Sequence, residues 1–154
     1  MVAARVEAIP PFGEGGPCEA WWVGSDDSAM KLELDSRLAM LEAAPMSRRK
    51  AMLLVLLIDE AIDAGLAPGG DLLAHRRTVA TNPDLAIVME LAGMREGGAR
   101  LVVEAVEGET QSEAEYMVSL YNAGTVPRLM IARDGSSEEA LPLLRRAVAA
   151  LRGT

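Results

Sequence analysis

The chain has 154 residues, half of them apolar, and a formal net charge of −8. This length is typical of one domain and is long enough to bury a sizeable core. The negative charge is spread evenly over both halves, so we expect no general attraction to nucleic acid or to an anionic membrane surface. The longest apolar run, Ala51 to Ile58, is far shorter than the ~20 residues that a membrane-spanning helix needs.

The beginning of the chain is rich in proline, glycine and small polar residues. This composition predicts an irregular segment over residues 1–28, followed by a single α+β domain over residues 29–154. Trp21 and Trp22 form the strongly apolar exception within the irregular segment. We interpret this pair as a short strand or as an anchor laid on the core.

The next part of the chain is predicted to form one strand and two helices. The polar and apolar residues of Lys31 to Leu34 alternate, which is typical of a half-buried strand. A short helix over residues 36–44 follows, and Pro45 ends it. Ser47 is a suitable N-cap for the longer segment Arg48 to Ala64. We favour a buried helix for this segment, although its leucine and β-branched residues also fit a core strand followed by a short helix.

The periodicity changes in the second half of the chain. Asp71 is predicted to cap a helix that runs to about Val79. The apolar runs Leu85 to Leu91 and Leu101 to Glu107 are separated by a glycine-containing loop, and this spacing predicts a β-hairpin. A helix over residues 110–123 comes next, with its apolar side chains along one face.

The C-terminal part is predicted to form one more strand and the last helix. The strand covers Arg128 to Arg133, and residues 134–135 turn the chain into the helix. Ser136 and Glu139 have the spacing of a capping box, whereas Pro142 is tolerated only near the first turn and favours a later start. The fold class is therefore α+β, with a helical N-terminal half packed on a small mixed sheet and the C-terminal order β-β-α-β-α. We expect the last strand to pair in parallel with one strand of the hairpin.

Few residues of this chain are suited to catalysis or to metal binding. His75 is the only histidine and Cys18 the only cysteine. An intramolecular disulfide is therefore excluded. A structural zinc site is not expected, because such sites generally need three or four histidine, cysteine or carboxylate ligands and the chain has one histidine and one cysteine. We also expect no cofactor. Because no nucleophile motif accompanies it, His75 is interpreted as a surface or packing histidine.

One run superficially resembles part of a nucleotide site. Residues 51–60 form an apolar stretch that ends in two acids, like a strand that delivers a carboxylate to a magnesium-bound nucleotide. The companion phosphate-binding loop, Gly-x4-Gly-Lys-Ser/Thr, is absent from the sequence, so no nucleotide site is expected. Asp59, Glu60 and Asp63 could hold a hard cation, but they are interpreted as the solvated edge of an amphipathic helix.

The segment from Met30 to Asp63 resembles the ribbon-helix-helix family of dimeric DNA-binding proteins. It has the order of a strand, a helix, a turn and a long apolar helix. The resemblance implies that Lys31 and Glu33 read base edges from a two-stranded ribbon, and that Ser47 and Arg48 hold a phosphate. Two features depart from the family pattern. The first helix is about a turn too short, and Glu33 would face the negative field of the DNA.

Three classes of function remain open. The favoured hypothesis is a non-enzymatic binding or assembly module in a cytoplasmic location, which associates with itself or with a protein partner and not with a membrane. The alternative is a ribbon-helix-helix-like DNA-binding regulator that uses residues 30–63, so nucleic acid is an open but not a favoured partner. The second alternative is an enzyme built on carboxylates and arginines. The candidate binding residues are Trp21, Trp22, Arg48, Arg76 and Arg77, and the enzyme candidates are Asp59, Glu60, Arg76 and Arg77.

Overall fold

The computed structural model describes residues 27–153, which form six helices and three strands. In chain order these are α1 (Asp27–Ala43), α2 (Arg48–Ala64), α3 (Leu72–Val79), α4 (Pro83–Gly93), β1 (Arg100–Glu107), α5 (Glu113–Tyr121), β2 (Thr125–Arg133), β3 (Ser136–Glu139) and α6 (Ala140–Arg152). The α+β class and the helical N-terminal half are confirmed. The division into an irregular segment 1–28 and one domain stays a prediction.

Helix α1 contains the segment that was predicted to be a strand. Residues 31–34 lie inside the helix, so the strand prediction is wrong. Leu34 and Leu41 are buried and Leu38 is partly buried against the same core, which is the spacing of one helical face. Four alternating residues fit either period, and here the longer leucine repeat prevails over the local alternation.

Helix α2 is the central element of the helical layer and confirms the favoured prediction. Ser47 accepts a hydrogen bond at its Oγ from the backbone N–H of Lys50 at 3.2 Å, which caps the helix. The helix packs against α1, α3, α4 and α6. Its buried side chains follow a helical repeat, and they are Ala51, Leu54, Val55, Ile58 and Ile62.

Helices α3 and α4 begin at side-chain caps. Asp71 caps α3, as predicted, and Asn82 caps α4 by accepting hydrogen bonds from two backbone N–H groups. Helix α4 includes residues 85–91, so the predicted first strand of the hairpin is wrong. A short apolar run fits a buried strand and a buried helix equally well. The Asn82 cap and Pro83 in the first turn are helix-start signals that favour the helix.

The three strands form one antiparallel sheet in the order β1-β2-β3. Its register runs from Arg100 opposite Ala132 to Glu107 opposite Thr125. The predicted parallel pairing of the last strand is therefore wrong, and the sheet is not mixed. The reason lies in the connection. Helix α5 has only nine residues and links two neighbouring antiparallel strands instead of forming a crossover.

The segment after β2 forms a tight hairpin before the last helix. Asp134 and Gly135 both have positive φ values, 50° and 77°, as a two-residue type I′ turn requires. The predicted capping box is wrong, because Ser136 and Glu139 belong to β3 and the Glu139 side chain makes no cap hydrogen bond. The later start of the helix is confirmed, since Pro142 lies in the first turn of α6.

Helix α6 joins the helical layer to the sheet. It contacts α1, α2 and α4 on one side and β2 and β3 on the other. Leu143 and Leu144 are fully buried, and they share one core cluster with Leu129 and Ile131 of β2. Leu101 and Val103 of β1 lie opposite Ile131 and Leu129, so their side chains are on the same face of the sheet as these β2 residues. Within residues 27–153 no helix has the combined length and apolarity needed to cross a membrane.

Candidate interaction surface

Of the candidate binding residues, Trp21 and Trp22 lie outside the described residues. Arg48 is exposed at the first position of α2. Lys31 and Glu33 lie on α1, where Glu33 pairs with Arg37 one turn later at 2.9 Å. The two-stranded ribbon implied by the ribbon-helix-helix resemblance requires a strand at this position. That part of the resemblance is therefore wrong.

Arg76 joins α3 to α2 through two carboxylates. Its Nη2 donates to Asp59 Oδ1 at 2.7 Å, and its Nη1 donates to Asp63 Oδ1 at 2.5 Å. The Asp59 hydrogen bond is the main reason that the pKa of Arg76 lies above its ordinary value. One arginine thus pairs with both acids and offsets part of their negative charge. Arg77 and Glu60 are exposed.

His75 packs against the end of α2. Its Nε2 lies 2.7 Å from the carbonyl oxygen of Ile62, so an Nε2–H donates to that oxygen. The imidazole therefore contributes to the attachment of α3 to α2. Within α3, the Thr78 hydroxyl donates to the carbonyl of Ala74. The described residues contain no group of three or more histidine, cysteine or acidic side chains that could hold a metal ion.

A cavity of about 600 Å³ lies beside the first turns of α1. Its lining is mostly apolar and includes Met30, Leu34, Ile62 and Val79. The described lining residues include no carboxylate, so no acid–base pair of carboxyl groups is assembled here. This volume falls within the range of small-molecule sites, and its polar lining residues include Lys31, His75 and Asn82.

The strongest surface feature is the apolar face of α5. This helix has nine residues, of which only Ser119 is buried. Tyr121 is 83% exposed and Leu120 is 59% exposed. Sequence analysis placed apolar side chains along one face of this helix, and the structure leaves that face open among the described residues. The exposed large apolar side chains are Tyr116, Met117, Val118, Leu120 and Tyr121.

Polar contacts hold α5 in place despite its small buried area. Ser112 Oγ accepts the N–H of Glu115 at 3.2 Å, and the Glu115 carboxylate accepts the N–H of Gln111 at 2.6 Å. On its other side this carboxylate pairs with Arg128 of β2 at 2.6 Å. The Ser-x-x-Glu spacing at 112–115 is a capping-box pattern that the sequence analysis missed.

The orientation of α5 follows from these contacts. Glu115 and Ser119 are one turn apart and face the body of the protein. Met117 and Tyr121, also one turn apart, lie on the opposite side of the helix. The apolar side chains of α5 are therefore presented outward from the described structure. We name this surface, residues 116–118 and 120–121, the α5 face.

No family model, no curated protein and no solved structure matches this chain.

Proposed function

We propose that this chain is a non-enzymatic binding and assembly module that docks a protein partner through the α5 face. The observation that carries the proposal is the exposure of five large apolar side chains on one nine-residue helix. Contiguous apolar surface of this kind marks interaction sites in soluble proteins, because its exposure to water is unfavourable. Isolated exposed apolar residues elsewhere on the surface need no such explanation.

The chemistry of the α5 face defines the kind of partner. Two tyrosines combine large apolar area with a hydroxyl group, and tyrosine is frequent among the residues that dominate binding energy. An outward helix with anchors at positions 117, 120 and 121 has the spacing for insertion into an apolar groove. The helix begins with Glu113 and contains no basic residue. The expected partner is therefore a protein with an apolar groove and a basic rim near the start of the helix.

The alternative of a carboxylate and arginine enzyme is less well supported. Asp59, Asp63 and Arg76 satisfy one another in a cluster that connects α2 with α3. A general acid or base must be able to reach substrate and exchange a proton. The ion pairs of this cluster join two helices, so attachment accounts for its geometry, and this favours the binding module.

The proposal can be tested by crosslinking followed by titration. A photoreactive side chain at position 121 would covalently capture the protein that lies against the α5 face. The captured protein is then purified and titrated against the full chain and its Leu120→Asp variant. We expect Leu120→Asp to weaken binding at least tenfold, because it places a charge in an apolar interface.

The control is Leu73→Asp, which alters a side chain on α3 that is 67% exposed. It should bind the partner as the parent chain does, and both variants should unfold at the parent temperature. Equal binding by the two variants would refute the proposal, as would the failure of every captured protein to bind the parent chain in purified form.

A further inference from the structure

The two edges of the sheet differ in their protection against further strand pairing. Strand β3 at one edge has four residues, all of them serine or glutamate. Strand β1 at the other edge has eight residues, and its pairing with β2 is uninterrupted from Arg100 to Glu107. Natural edge strands are usually shortened, bulged, interrupted by proline or densely charged, since an open edge is a template for pairing. By these criteria β3 is protected and β1 is not.

The side chains of β1 are also suited to an interface. Val103 is 42% exposed although its side chain lies on the same face of the sheet as that of Leu101. Three of the eight residues are charged, and they lie at the two ends and at Glu104. Apart from Glu104, the interior of the strand is therefore apolar, with a cation at one end and an anion at the other.

We propose that β1 pairs in antiparallel fashion with β1 of a second copy of this chain, in a two-fold register centred on Val103. This proposal concerns a different surface from the α5 face and does not depend on that docking role. Pairing would join two three-stranded sheets into one continuous six-stranded sheet. It would also satisfy the backbone groups along the outer edge of β1.

Symmetry restricts the register to a few choices. A two-fold axis between antiparallel strands must place one residue opposite its own copy. The strand runs from 100 to 107, so full overlap leaves Val103 or Glu104 at the axis. Glu104 at the axis would set two carboxylates directly opposite each other, which is destabilising. Val103 at the axis sets two β-branched apolar side chains together, which is favourable.

The remaining side chains agree with the Val103-centred register. Leu101 lies opposite the second copy's Ala105, which continues the apolar row on the core side of the sheet. Arg100 lies opposite Val106 and diagonal to the second copy's Glu104, within reach of its long side chain. The two-fold axis makes this charge pair twice. The edge is thus complementary to itself in charge and in apolarity.

The first test measures the mass of the full chain in solution. Sedimentation equilibrium should give a dimer for the parent chain, and Val103→Lys should weaken dimerisation at least tenfold because it sets two ammonium groups together at the axis. Val103→Thr keeps a β-branched side chain and should stay a dimer. A parent chain that stays monomeric at millimolar concentration would overturn the proposal, and so would a Val103→Lys variant that dimerises normally.

The second test reads the register by disulfide formation in a Cys18→Ser background. Val103→Cys should form a disulfide-linked dimer under mild oxidation, because residues opposite each other have Cα atoms about 4.5–5.5 Å apart. The control Glu107→Cys should not, since its two copies would lie roughly 27 Å apart at about 3.4 Å per residue. Equal crosslinking of the two variants would contradict the register.

The two proposals can fail separately. Leu120→Asp should leave the dimer intact, because the α5 face is not part of the β1 pair. If Leu120→Asp dissociates the dimer and Val103→Lys does not, the second copy binds at α5 and the β1 pairing is refuted. A heterologous protein captured on the β1 edge of a monomeric parent chain would also refute it.

Discussion

Arg128 of β2 holds both carboxylate oxygens of Glu115 on α5. Its Nη1 donates to Oε1 at 2.6 Å and its Nη2 donates to Oε2 at 3.1 Å, in the two-pronged geometry that makes arginine–carboxylate pairs strong. The arginine side chain is only 11% exposed, and it also pairs with Glu139 at 3.3 Å. Because α5 buries little apolar area, we expect this pair to contribute strongly to the attachment of the helix to the sheet.

Removal of the carboxylate should loosen α5. We expect Glu115→Ala to lower the free energy of unfolding by about 1–3 kcal/mol, since it removes charged hydrogen bonds and leaves a largely buried guanidinium with one partner fewer. Urea denaturation measures this loss, and amide hydrogen exchange should show faster opening of α5. Glu113→Ala, which removes an exposed acid from the same helical turn, should cost less than about 1 kcal/mol. Equal losses in the two variants would contradict the role of Glu115 as the attachment.

The same carboxylate predicts a loss of stability in acid. Its pKa lies below the ordinary value of 4.5, first because the Gln111 N–H donates to it and then because of Arg128. A carboxyl group with a lowered pKa stabilises the fold fully above the unfolded value, and this contribution is lost as pH falls through the folded pKa. Stability should therefore decline below about pH 4.5.

An NMR titration of the side-chain carboxyl resonances measures this directly, and Glu115→Gln should flatten the acid loss. Glu90 serves as a second probe. Arg133 donates to both of its oxygens, at 2.9 and 2.8 Å, and lowers its pKa in the same direction. A Glu115 that titrates at or above 4.5 would rule out the proposed contacts of its carboxylate.

The β2–β3 turn predicts a penalty for a side chain at position 135. Gly135 has φ 77° and an added Cβ would meet nothing within 4 Å, so backbone strain is the only cost. We expect Gly135→Ala to destabilise the protein by about 1–2 kcal/mol. Gly108 is equally open but lacks a positive φ, so Gly108→Ala should be neutral or slightly stabilising. Thermal unfolding of the two variants separates these effects. A neutral Gly135→Ala would mean that the turn does not need the left-handed region.

Leu54 and Leu56 of α2 test which face of this helix is buried in the core. Leu54 is fully buried, whereas Leu56 is 42% exposed. Leu54→Ala should cost about 2–5 kcal/mol because it leaves a cavity among packed side chains. Leu56→Ala should cost about 0.5 kcal/mol or less. Chemical denaturation of both variants decides the point. Similar losses would show that α2 is rotated relative to the orientation described above.

The elements that sequence analysis predicted correctly carry local start and stop signals. Ser47 and Asp71 each accept a backbone N–H from the first turn of the following helix, so the cap and the helix are specified within a few residues. The elements that it predicted wrongly are short. The strand prediction for residues 31–34 depends on four alternating positions, whereas the leucine repeat at 34, 38 and 41 favours a helix. The apolar run 85–91 follows Asn82 and Pro83, which are helix-start signals. The Asp134-Gly135 pair is a two-residue hairpin signal, and it forms the turn between β2 and β3.

The candidate interaction surface could also be predicted only in part from the sequence. The apolar periodicity of residues 117, 120 and 121 is visible in the sequence, but periodicity indicates only that a helix has an apolar side. Whether that side is buried depends on what lies against it. Here Glu115 and Ser119 take the inward positions, so the α5 face is turned outward. The open edge of β1 could not be predicted from the sequence either, because which strand lies at an edge depends on the strand order.

Composition alone excludes an intramolecular disulfide, because the chain has one cysteine, and it argues against a zinc site built on histidine and cysteine ligands. Local sequence also indicates where α2 and α3 begin, because the Ser47 and Asp71 caps depend on hydrogen bonds between near neighbours. The antiparallel pairing of the sheet, the contact of Arg128 with Glu115, and the openness of α5 and β1 among residues 27–153 appear only in the folded chain. These features depend on contacts between residues distant along the chain, and local periodicity carries no information about which distant surface will cover a given face.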